Sequence, residues 1–535
     1  MRSGTGSVEF DAVVVGAGFA GLYQLHRLRR AGFTVRVFEA GSGIGGTWYW
    51  NRYPGARCDV ESVEYSYGFD EDLQQEWEWT ERYATQPEIL RYLEHVADRF
   101  DLRRDITFDT RVTSVRWDDS TRRWTVRTGV GENVAARFVI MATGCLSSAN
   151  LPDIPGRESF GGDAYHTGRW PHDEVDFTGK RVGVIGTGSS GIQAVPVIAR
   201  QAEQLVVFQR TPAYTVPAHN RPLDAGELAA VKGRYGALRA ENRRMQPGFG
   251  SRARPPEASA LEVAPDERRA EYEKRWEEGG LLFMSTYLDL ATNAAANETA
   301  AEFVRGKIRE LVADPDVAAA LNPEQRIGCK RLCIDTGYYD AFNQPHVRLV
   351  DLRRTPIREI TPAGVSTTDD DIGLDCLVFA TGFDAMTGAL LSIDIQGRGG
   401  QTLQDAWHAG PRTYLGLGVP GFPNLFIVTG PGSPSVLTNM VTSVEHHVEW
   451  ITDCLCYLAN GGVELIEATS IAADEWVAYV NTVAGFTLFP TCNSWYLGAN
   501  IPGKPRVFMP LPGFPPYADH CEGVAADGYR GFTLV

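Results

Sequence analysis

The sequence has no long apolar run. Every apolar stretch in its 535 residues is interrupted by glycine or a charged residue well before the roughly 20 residues that a membrane-spanning helix requires. Its opening segment, MRSGTGSVEF, also lacks the apolar core of a signal peptide. These absences argue against membrane insertion and predict a cytoplasmic chain.

Basic residues are too few to suit a nucleic-acid partner. Lys and Arg number 51 against 67 Asp and Glu, which gives a formal net charge of -16 at pH 7. Such a charge repels a phosphate backbone, and there is no long run of Lys and Arg, so nucleic acid is not expected to bind. We predict no metal site, and no pattern indicates an oligomeric state.

Cysteine is present nine times but never as a CxxC pair. The neighbouring pairs Cys329/Cys333 and Cys454/Cys456 have the wrong spacing for that motif. We therefore expect reduced thiols, most of them in the core. The rest of the composition, 43% apolar and 22% charged, is that of a globular protein, and the length predicts two or three domains.

A first dinucleotide-binding pattern occupies FDAVVVGAGFAGLYQLHRLRRAGFTVRVFEA. An apolar strand leads into Gly16-x-Gly18-x-x-Gly21, an amphipathic helix follows, and a second strand ends at Glu39. The glycines allow a sharp turn and close approach of a pyrophosphate to the helix N-terminus, while the carboxylate accepts ribose hydroxyls. This combination predicts an FAD site.

The pattern recurs in KRVGVIGTGSSGIQAVPVIARQAEQLVVFQR as Gly186-x-Gly188-x-x-Gly191. At nearly the same offset from the first glycine stands Arg210 instead of a carboxylate. A guanidinium pairs with the 2′-phosphate that a carboxylate would repel, so this second unit is expected to select NADP(H).

Two further apolar strands end in the same small-residue turn, Ala-Thr-Gly, at 142–144 and at 380–382. We interpret these turns as the points where the chain crosses between domains. The predicted fold is α/β, with two Rossmann-like dinucleotide-binding domains and a helical insertion in the NADP domain, because 221–325 is rich in charge and helix formers. The predicted boundaries are 1–147 and 380–535 for the FAD-binding domain, 148–220 and 326–379 for the NADP-binding domain, and 221–325 for the insertion.

A chain that holds FAD and NADPH takes a hydride onto the flavin and passes electrons to an acceptor. Disulfide reductases need a cysteine pair beside the flavin, but the segment after Glu39 offers only Cys58. O2 is the other common acceptor, and a flavin peroxide that attacks a ketone must stay anionic near a fixed cation, with water excluded. Arg331 is the candidate cation, and Asp59 is the candidate carboxylate that orients it.

Two longer motifs complete the pattern. GTWYWNRYPGARCD matches GxWxxxxYPGxxxD, and the predicted linker matches FxGxxxHxxxWP through Phe160, His166 and Trp170. With the two glycine motifs, the chain resembles the type I Baeyer–Villiger monooxygenases, nearest to their phenylacetone and steroid monooxygenase branch, from about Phe10 to the C-terminus. That resemblance implies FAD and NADPH as cofactors, and a hinge role for His166 with Phe160 and Trp170 packing the joint.

The resemblance also implies site residues. The expected FAD contacts are Gly16, Gly18, Phe19, Gly21, Glu39, Gly46, Thr47, Trp48, Tyr49, Trp50, Asp59, Tyr65, Val112 and Met440. The expected NADP contacts are Arg57, Thr187, Gly188, Ser189, Ser190, Gly191, Gln193, Arg210, Thr211, Lys330, Arg331 and Trp495. The expected substrate pocket comprises Val60, Leu146, Val436, Leu437 and Met440.

The predicted reaction converts a hydrophobic ketone to an ester or lactone with NADPH and O2. Steroid, aryl, macrocyclic and terpenoid ketones all stay open, since the C-terminal PLPGFPPYADH replaces the paired glycines of relatives with prolines that fix the loop differently. A flavin-containing N- or S-monooxygenase is the alternative, and it would not need Arg331. An oxidase that only releases hydrogen peroxide is a third, disfavoured by Arg210 and Lys330.

Overall fold

The computed structural model describes residues 8–535, and of Val8 only the backbone. The predicted first domain therefore begins with residues 1–7 outside the described part of the chain. The strands are β1 (Val8–Val15), β2 (Val35–Phe38), β3 (Ile106–Thr107), β4 (Val112–Asp118), β5 (Arg123–Thr128), β6 (Asn133–Met141), β7 (Asp163–His166), β8 (Arg181–Ile185), β9 (Gln204–Gln209), β10 (Thr215–Pro217), β11 (Cys333–Asp335), β12 (Val347–Asp351), β13 (Ile357–Thr361), β14 (Gly364–Thr367), β15 (Asp371–Gly373), β16 (Cys376–Phe379), β17 (Asp394–Gln396), β18 (Leu425–Ile427), β19 (Ile466–Ala468) and β20 (Phe532–Leu534).

The α-helices are numbered in chain order, and short 3-10 turns lie between some of them. They are α1 (Phe19–Arg30), α2 (Thr47–Trp50), α3 (Glu71–Glu76), α4 (Gln86–Arg99), α5 (Ser189–Ala199), α6 (Ala225–Lys232), α7 (Tyr235–Asn242), α8 (Pro265–Glu278), α9 (Ala294–Leu311), α10 (Pro315–Leu321), α11 (Tyr338–Ala341), α12 (Gly388–Leu391), α13 (Leu403–Ala406), α14 (Met440–Asn460), α15 (Ser470–Gly485) and α16 (Phe514–Ala526). Within residues 8–535, no helix is both long and apolar enough to cross a membrane.

Two main sheets each carry one of the glycine motifs. The first has the order β17-β4-β5-β6-β1-β2-β3, with β18 beside β6, and β1 lies parallel to both β2 and β6. The second has the order β12-β9-β8-β16-β7, and all its strands are parallel. In each sheet a strand that is parallel to both its neighbours, β1 or β8, leads through a glycine turn into a helix. This is the Rossmann arrangement, so the predicted fold class is confirmed.

The same backbone contact closes both glycine turns. A Cβ atom on Gly16 would lie 2.6 Å from the carbonyl oxygen of Ala142, and one on Gly186 would lie 2.4 Å from that of Ala380. Both glycines have positive φ, 104° and 112°, which side chains disfavour. Each Ala-Thr-Gly turn therefore packs against the first glycine of its own nucleotide motif.

Helices α6 to α10 lie within the predicted helical insertion. Helix α7 contacts the segment that follows Asp59 in the first nucleotide unit. The Arg239 guanidinium on α7 donates to the Glu64 carbonyl at 3.0 Å and to the Ser66 hydroxyl at 2.6 Å. The buried Glu64 carboxylate accepts in turn from Asn242 and from the Gly250 backbone. The insertion is thus fixed beside the first nucleotide unit, while the proposed domain boundaries stay a prediction.

The expectation of reduced cysteines is wrong for one pair. Cys329 and Cys492 form a disulfide across 163 residues of sequence, with their Cα atoms 5.6 Å apart. The other seven cysteines are free thiols, and six of those are buried, as expected. The bond joins two distant segments, which a search for neighbouring cysteines cannot detect.

The close packing of the first glycine turn allows a test of the predicted FAD site. A Cβ on Gly21 would lie 1.8 Å from the Gly16 carbonyl oxygen, so we expect Gly21→Ala to displace the turn and lower the fraction of protein purified with FAD at least several-fold. Gly236→Ala is the matched control, because Gly236 is an exposed residue of α7 whose Cβ would meet no atom within 4 Å. Alanine should stabilise that helix by about 1 kcal/mol. Equal flavin absorbance in both variants would contradict an FAD site at this turn.

Candidate active site

Arg331 lies in the loop between α10 and β11, where three acceptor atoms hold its guanidinium. Nη2 donates to Oδ1 of Asp59 at 2.8 Å, and Nε donates to Oδ2 of the same carboxylate. Nη1 donates to the backbone carbonyl of Val436 at 2.7 Å. Two-point contact with one carboxylate fixes the plane of the guanidinium as well as its position. The two residues predicted as the catalytic pair are therefore in direct contact.

The surroundings of this pair are mostly apolar. The side chains of Arg331 and Asp59 are 24% and 20% exposed. Burial opposes the charge on Arg331, but the adjacent Asp59 carboxylate outweighs that effect and raises the guanidinium pKa above its ordinary value. Burial also raises the pKa values of the neighbouring Cys58 thiol and Tyr496 phenol, so both are neutral near pH 7. Arg331 and Asp59 consequently form a fixed cation with its counter-ion.

The first glycine motif forms a cradle that a cofactor backbone could enter. Gly18 is the N-cap of α1 and faces Gly46, the N-cap of α2. A Cβ on Gly46 would lie 2.9 Å from the Gly18 Cα, so any side chain here would fill the space between the two helix starts. Gly46 has φ of +55°. Helix N-termini attract phosphate charge, so the residues present suit a dinucleotide such as FAD.

Predicted FAD contacts gather around this cradle. The Trp48 indole donates to the Tyr65 hydroxyl at 3.2 Å, and the Phe19 and Tyr65 rings meet edge to face at 5.3 Å. The buried Glu39 carboxylate accepts from the backbone N–H groups of Ala17 and Gly41, both at 2.7 Å. Burial raises the Glu39 pKa and these hydrogen bonds oppose the rise.

Five other predicted FAD contacts lie at the edges of this region. Val112 begins β4 close to the end of β2, since the nearby Thr110 N–H donates to the Glu39 carbonyl at 2.8 Å. Met440 is the first residue of α14. Thr47 and Trp50 begin and end α2, while the Tyr49 hydroxyl contacts Ser42.

The second glycine motif starts α5, whose N-cap is Gly188. The Thr187 hydroxyl donates to the Thr211 carbonyl at 3.1 Å, and the Ser189 hydroxyl lies 3.3 Å from the Cys333 sulfur. The Ser190 hydroxyl and the Gly191 turn complete the motif, with a Cβ on Gly191 excluded by the Gly186 carbonyl at 2.2 Å. The geometry repeats that of the first motif and suits a second dinucleotide.

Gln193 has a contact that the sequence did not indicate. Its side-chain oxygen accepts from the Tyr53 hydroxyl at 2.7 Å, and its amide nitrogen donates to the Arg57 carbonyl at 3.1 Å. Gly55 lies against the same helix, because its Cβ would meet the Gln193 carbonyl at 2.3 Å. The YPG portion of the first motif thus rests on α5, which joins the two nucleotide units.

Positive side chains stand together where the 2′-phosphate is expected. Arg210 follows β9 directly and is exposed. Burial lowers the pKa of Lys330, and the positive charge of the nearby Arg210 lowers it further. A dianionic phosphate between the two would remove that repulsion, so the pair fits a phosphate ligand.

Two predicted NADP contacts lie close to the Arg331 site. Arg57 approaches the Glu81 carboxylate at 3.5 Å, while its buried Nε has no hydrogen-bond partner in the described part of the chain. Trp495 packs on Tyr496, with ring centroids 4.3 Å apart. An unpartnered buried donor is uncommon and suits a site that takes a polar ligand.

The linker around His166 and Trp170 packs against α2 and against the Ala-Thr-Gly turn at 380–382. The Gly168 N–H donates to Nδ1 of the buried His166 at 2.9 Å, and Nε2 lies 3.4 Å from the Thr381 hydroxyl. The Trp170 N–H donates to the carbonyl of Trp50, the last residue of α2, at 3.4 Å. Phe160 instead packs with the β13–β15 side of the second sheet. His166 and Trp170 are therefore placed at the joint, and Phe160 lies apart from it.

The five predicted pocket residues share one apolar cluster. Val60 and Val436 are buried in it, while Leu146, Leu437 and Met440 pack against it partly exposed. Sequence reasoning missed the Val436 carbonyl and Tyr496 as neighbours of Arg331. A main-chain acceptor leaves no mark in a sequence, whereas the position of Tyr496 next to Trp495 was a usable signal.

A charge substitution tests the 2′-phosphate site. We expect Lys330→Met to raise KM for NADPH about tenfold while leaving KM for NADH nearly unchanged, because one charge-assisted contact is worth about 1.5–3 kcal/mol. Lys307→Met is the control, because Lys307 lies on α9 in the insertion and its charge is already paired with Glu273 of α8 and Glu310 of α9. Equal losses with NADPH and NADH would contradict a 2′-phosphate contact.

The linker histidine gives a pH test. Burial lowers the pKa of His166 to about 4 from an ordinary 6.5. The unfolded chain therefore binds a proton at this residue between pH 6.5 and 4 that the folded chain does not, so its stabilising effect is complete above pH 6.5 and is lost as pH falls towards 4. His166→Asn keeps an acceptor for the Gly168 N–H, and its Tm should fall by several degrees less over this range. Parallel Tm curves would contradict the assignment.

Comparisons with known proteins agree with this geometry. A family model described as pyridine nucleotide-disulphide oxidoreductase matches residues 13–223. A Baeyer–Villiger monooxygenase of Pseudooceanicola batsensis is 42% identical over 98% of this chain and 96% of its own length. The phenazine N-monooxygenase PhzNO1 of Lysobacter antibioticus is also 42% identical, over 98% of this chain and 97% of its own. A solved steroid monooxygenase bound to NADP is 56% identical with a TM-score of 0.94, over 99% of this chain and 100% of that one.

Two Rossmann-like units with glycine cradles, a partly buried Arg–Asp pair between them and full-length relatives above 40% identity converge on one family. FAD and NADP(H) are its cofactors, as the sequence predicted. The chain belongs to the Baeyer–Villiger monooxygenases.

Proposed function

We propose that this chain oxidises a hydrophobic ketone to an ester or lactone with NADPH and O2, and that Arg331 and Asp59 are its catalytic residues. The single observation that carries the proposal is the bidentate Arg331–Asp59 pair, closed by the Val436 carbonyl. FAD, when bound, accepts the hydride of NADPH and delivers one oxygen atom of O2 to the substrate.

Arg331 retains donors for the reacting atoms. A guanidinium has five N–H donors, and Asp59 and Val436 take three of them. The other two, one on each terminal nitrogen, have no protein acceptor in the described part of the chain. They can bind negative charge that develops on a ketone oxygen, and because Arg331 is already fixed this stabilisation needs no rearrangement.

Asp59 keeps Arg331 charged and oriented. A cation taken out of water without a partner would be strongly destabilised, and the carboxylate supplies that partner. Both carboxylate oxygens of Asp59 accept hydrogen bonds from the guanidinium. We therefore assign Asp59 an electrostatic and orienting role beside the reacting atoms, and assign proton movement to neither residue.

The surrounding residues exclude water and hold the nucleotide. Val60 and Val436 form buried apolar walls, and the neutral Tyr496 phenol adds no charge near Arg331. Arg210 and Lys330 neutralise the phosphate of NADP(H), while Trp495 covers its nicotinamide end. The apolar walls favour a hydrophobic ketone over a charged one.

N-oxidation of an aromatic amine is a second candidate. It is favoured by the 42% identity with a phenazine N-monooxygenase, which equals that with the Baeyer–Villiger relative. Nucleophilic attack by an amine has less need of a fixed cation. Product masses from a ketone panel and an N-heterocycle panel, each with NADPH and 18O2, separate the two: an oxygenated ketone supports our proposal, and exclusive N-oxidation would replace it.

Removal of the cation is the direct mutational test. We expect Arg331→Ala to lower ester formation at least 100-fold, since loss of one preorganised donor costs about 10²–10³ in rate. Flavin reduction by NADPH should persist, because hydride transfer does not require that cation. Stopped-flow flavin bleaching and product mass measure the two steps separately.

Arg398→Ala is the control for Arg331→Ala. Arg398 also pairs with two carboxylates, those of Asp119 and Glu467, but it follows β17, the edge strand of the first sheet. It should retain ester formation within about twofold, as a partly exposed ion pair contributes about 1 kcal/mol or less to stability. Unchanged ester yield in Arg331→Ala with normal FAD content would refute the catalytic assignment.

A further inference from the structure

The disulfide joins the two segments that flank the proposed site. Cys329 directly precedes Lys330 and Arg331, and Cys492 lies three residues before Trp495. The Cα separation of 5.6 Å is within the usual range for disulfides. A covalent bond thus fixes the distance between the phosphate- and cation-bearing loop and the segment that carries the aromatic cover.

The second of these segments has little regular structure to hold it. Residues 486–513, between α15 and α16, form only two short 3-10 turns. A stretch of this length without regular structure is usually functional or mobile unless it is tied down. Its later part is tied to the Ala-Thr-Gly turn region, where Asn500 donates to the Phe383 carbonyl at 2.7 Å and Lys504 pairs with Asp384.

Its earlier part is tied to the other side of the site. The Arg326 guanidinium donates to the Thr491 hydroxyl at 2.6 Å, and the Leu488 N–H donates to the Ala291 carbonyl at 2.8 Å. The Cys329–Cys492 bond lies between these contacts and the aromatic pair Trp495–Tyr496. Phe489 and Trp495 also pack against the apolar core, and the disulfide adds a covalent link to these contacts.

We propose that Cys329–Cys492 is a reversible thiol–disulfide site whose oxidised form fastens the 486–498 segment over bound NADP(H) and whose reduced form loosens it. This regulatory role rests on the proposed function. Oxidation should increase retention of NADP+ and suppress release of hydrogen peroxide. In a reducing compartment, which the sequence predicts for this chain, disulfides that do form are usually redox-sensing or transient.

The chemistry balances with a dithiol as reductant. One thiolate of the dithiol attacks a cysteine sulfur, the S–S bond breaks, and the other cysteine leaves as a thiolate that takes a proton. The second thiol then closes a cyclic disulfide and releases the first cysteine. The dithiol loses two electrons and two protons, and Cys329 and Cys492 gain them. Cys329 and Cys492 are themselves buried, but Thr491 and Asn493 on either side of Cys492 are exposed, so a local displacement of this stretch gives the attacking thiolate access to the bond.

The free thiols are poor competitors for this role. Cys333 is buried beside the Ser189 hydroxyl, and burial raises its pKa to about 11, so it is rarely a thiolate. Cys456 is partly exposed on α14 and distant in sequence from both segments. It provides a matched control that alters one accessible thiol without touching the proposed site.

The first experiment counts thiols in denatured holoenzyme by reaction with a chromogenic disulfide reagent. We expect seven thiols after mild oxidation and nine after treatment with dithiothreitol, with a Cys329–Cys492 linked peptide in the mass spectrum of the oxidised sample only. Nine thiols after oxidation, or a different linked pair, would overturn the inference.

The second experiment measures function in both redox states. After removal of dithiothreitol under argon, the Kd for NADP+ and the hydrogen peroxide released per NADPH are compared with those of oxidised holoenzyme. We expect reduction to raise both severalfold in the wild type and in Cys456→Ser. Cys329→Ser and Cys492→Ser should show the reduced values in both states, and agreement between them excludes misfolding of one variant.

The outcomes separate this inference from the proposed function. Normal ketone oxidation with identical NADP+ affinity and peroxide release in both states would overturn the redox role alone. Redox-dependent NADP+ binding without any oxygenated ketone would overturn the proposed function and support the tether. Redox dependence that persists in Cys492→Ser would assign the effect to another thiol and also overturn the inference.

Discussion

The pairing of Arg331 with Asp59 is the constraint on which the rest of the site depends. A guanidinium that is three-quarters buried needs a carboxylate beside it, and here the two partners come from segments 272 residues apart. Asp59 follows the helix that borders the first glycine cradle, whereas Arg331 precedes the strand beside the second. The cation is therefore fixed only when both nucleotide units are in place.

Contacts between the two units serve the same end. Gln193 binds Tyr53 and the backbone of Arg57, two residues before Asp59, so the start of α5 directly supports the segment that carries the carboxylate. On another side, the linker places Trp170 against Trp50. A shift of one unit relative to the other would move Asp59 away from Arg331. His166 and Trp170 of the linker pack at this joint, whereas Phe160 packs elsewhere on the second unit.

Much of this arrangement could be predicted from the sequence, for identifiable physical reasons. The turns at Gly16 and Gly186 tolerate no Cβ, so they mark the sequence directly, and the charge difference between Glu39 and Arg210 follows from ligand electrostatics. The Val436 carbonyl could not be predicted, because any residue supplies one. Nor could the Cys329–Cys492 bond, since cysteines 163 residues apart have no spacing rule. Their pairing depends on how the C-terminal segment folds back.

A crystal structure of the holoenzyme with FAD and NADP+ tests the central claim most directly. The quantity to measure is the distance from the Arg331 guanidinium to the reactive edge of the flavin ring. We predict a separation within about 6 Å, the range over which a charge acts strongly on a neighbouring group, with the Asp59 contact intact. A guanidinium directed away from the flavin, with Asp59 bound elsewhere, would contradict the account.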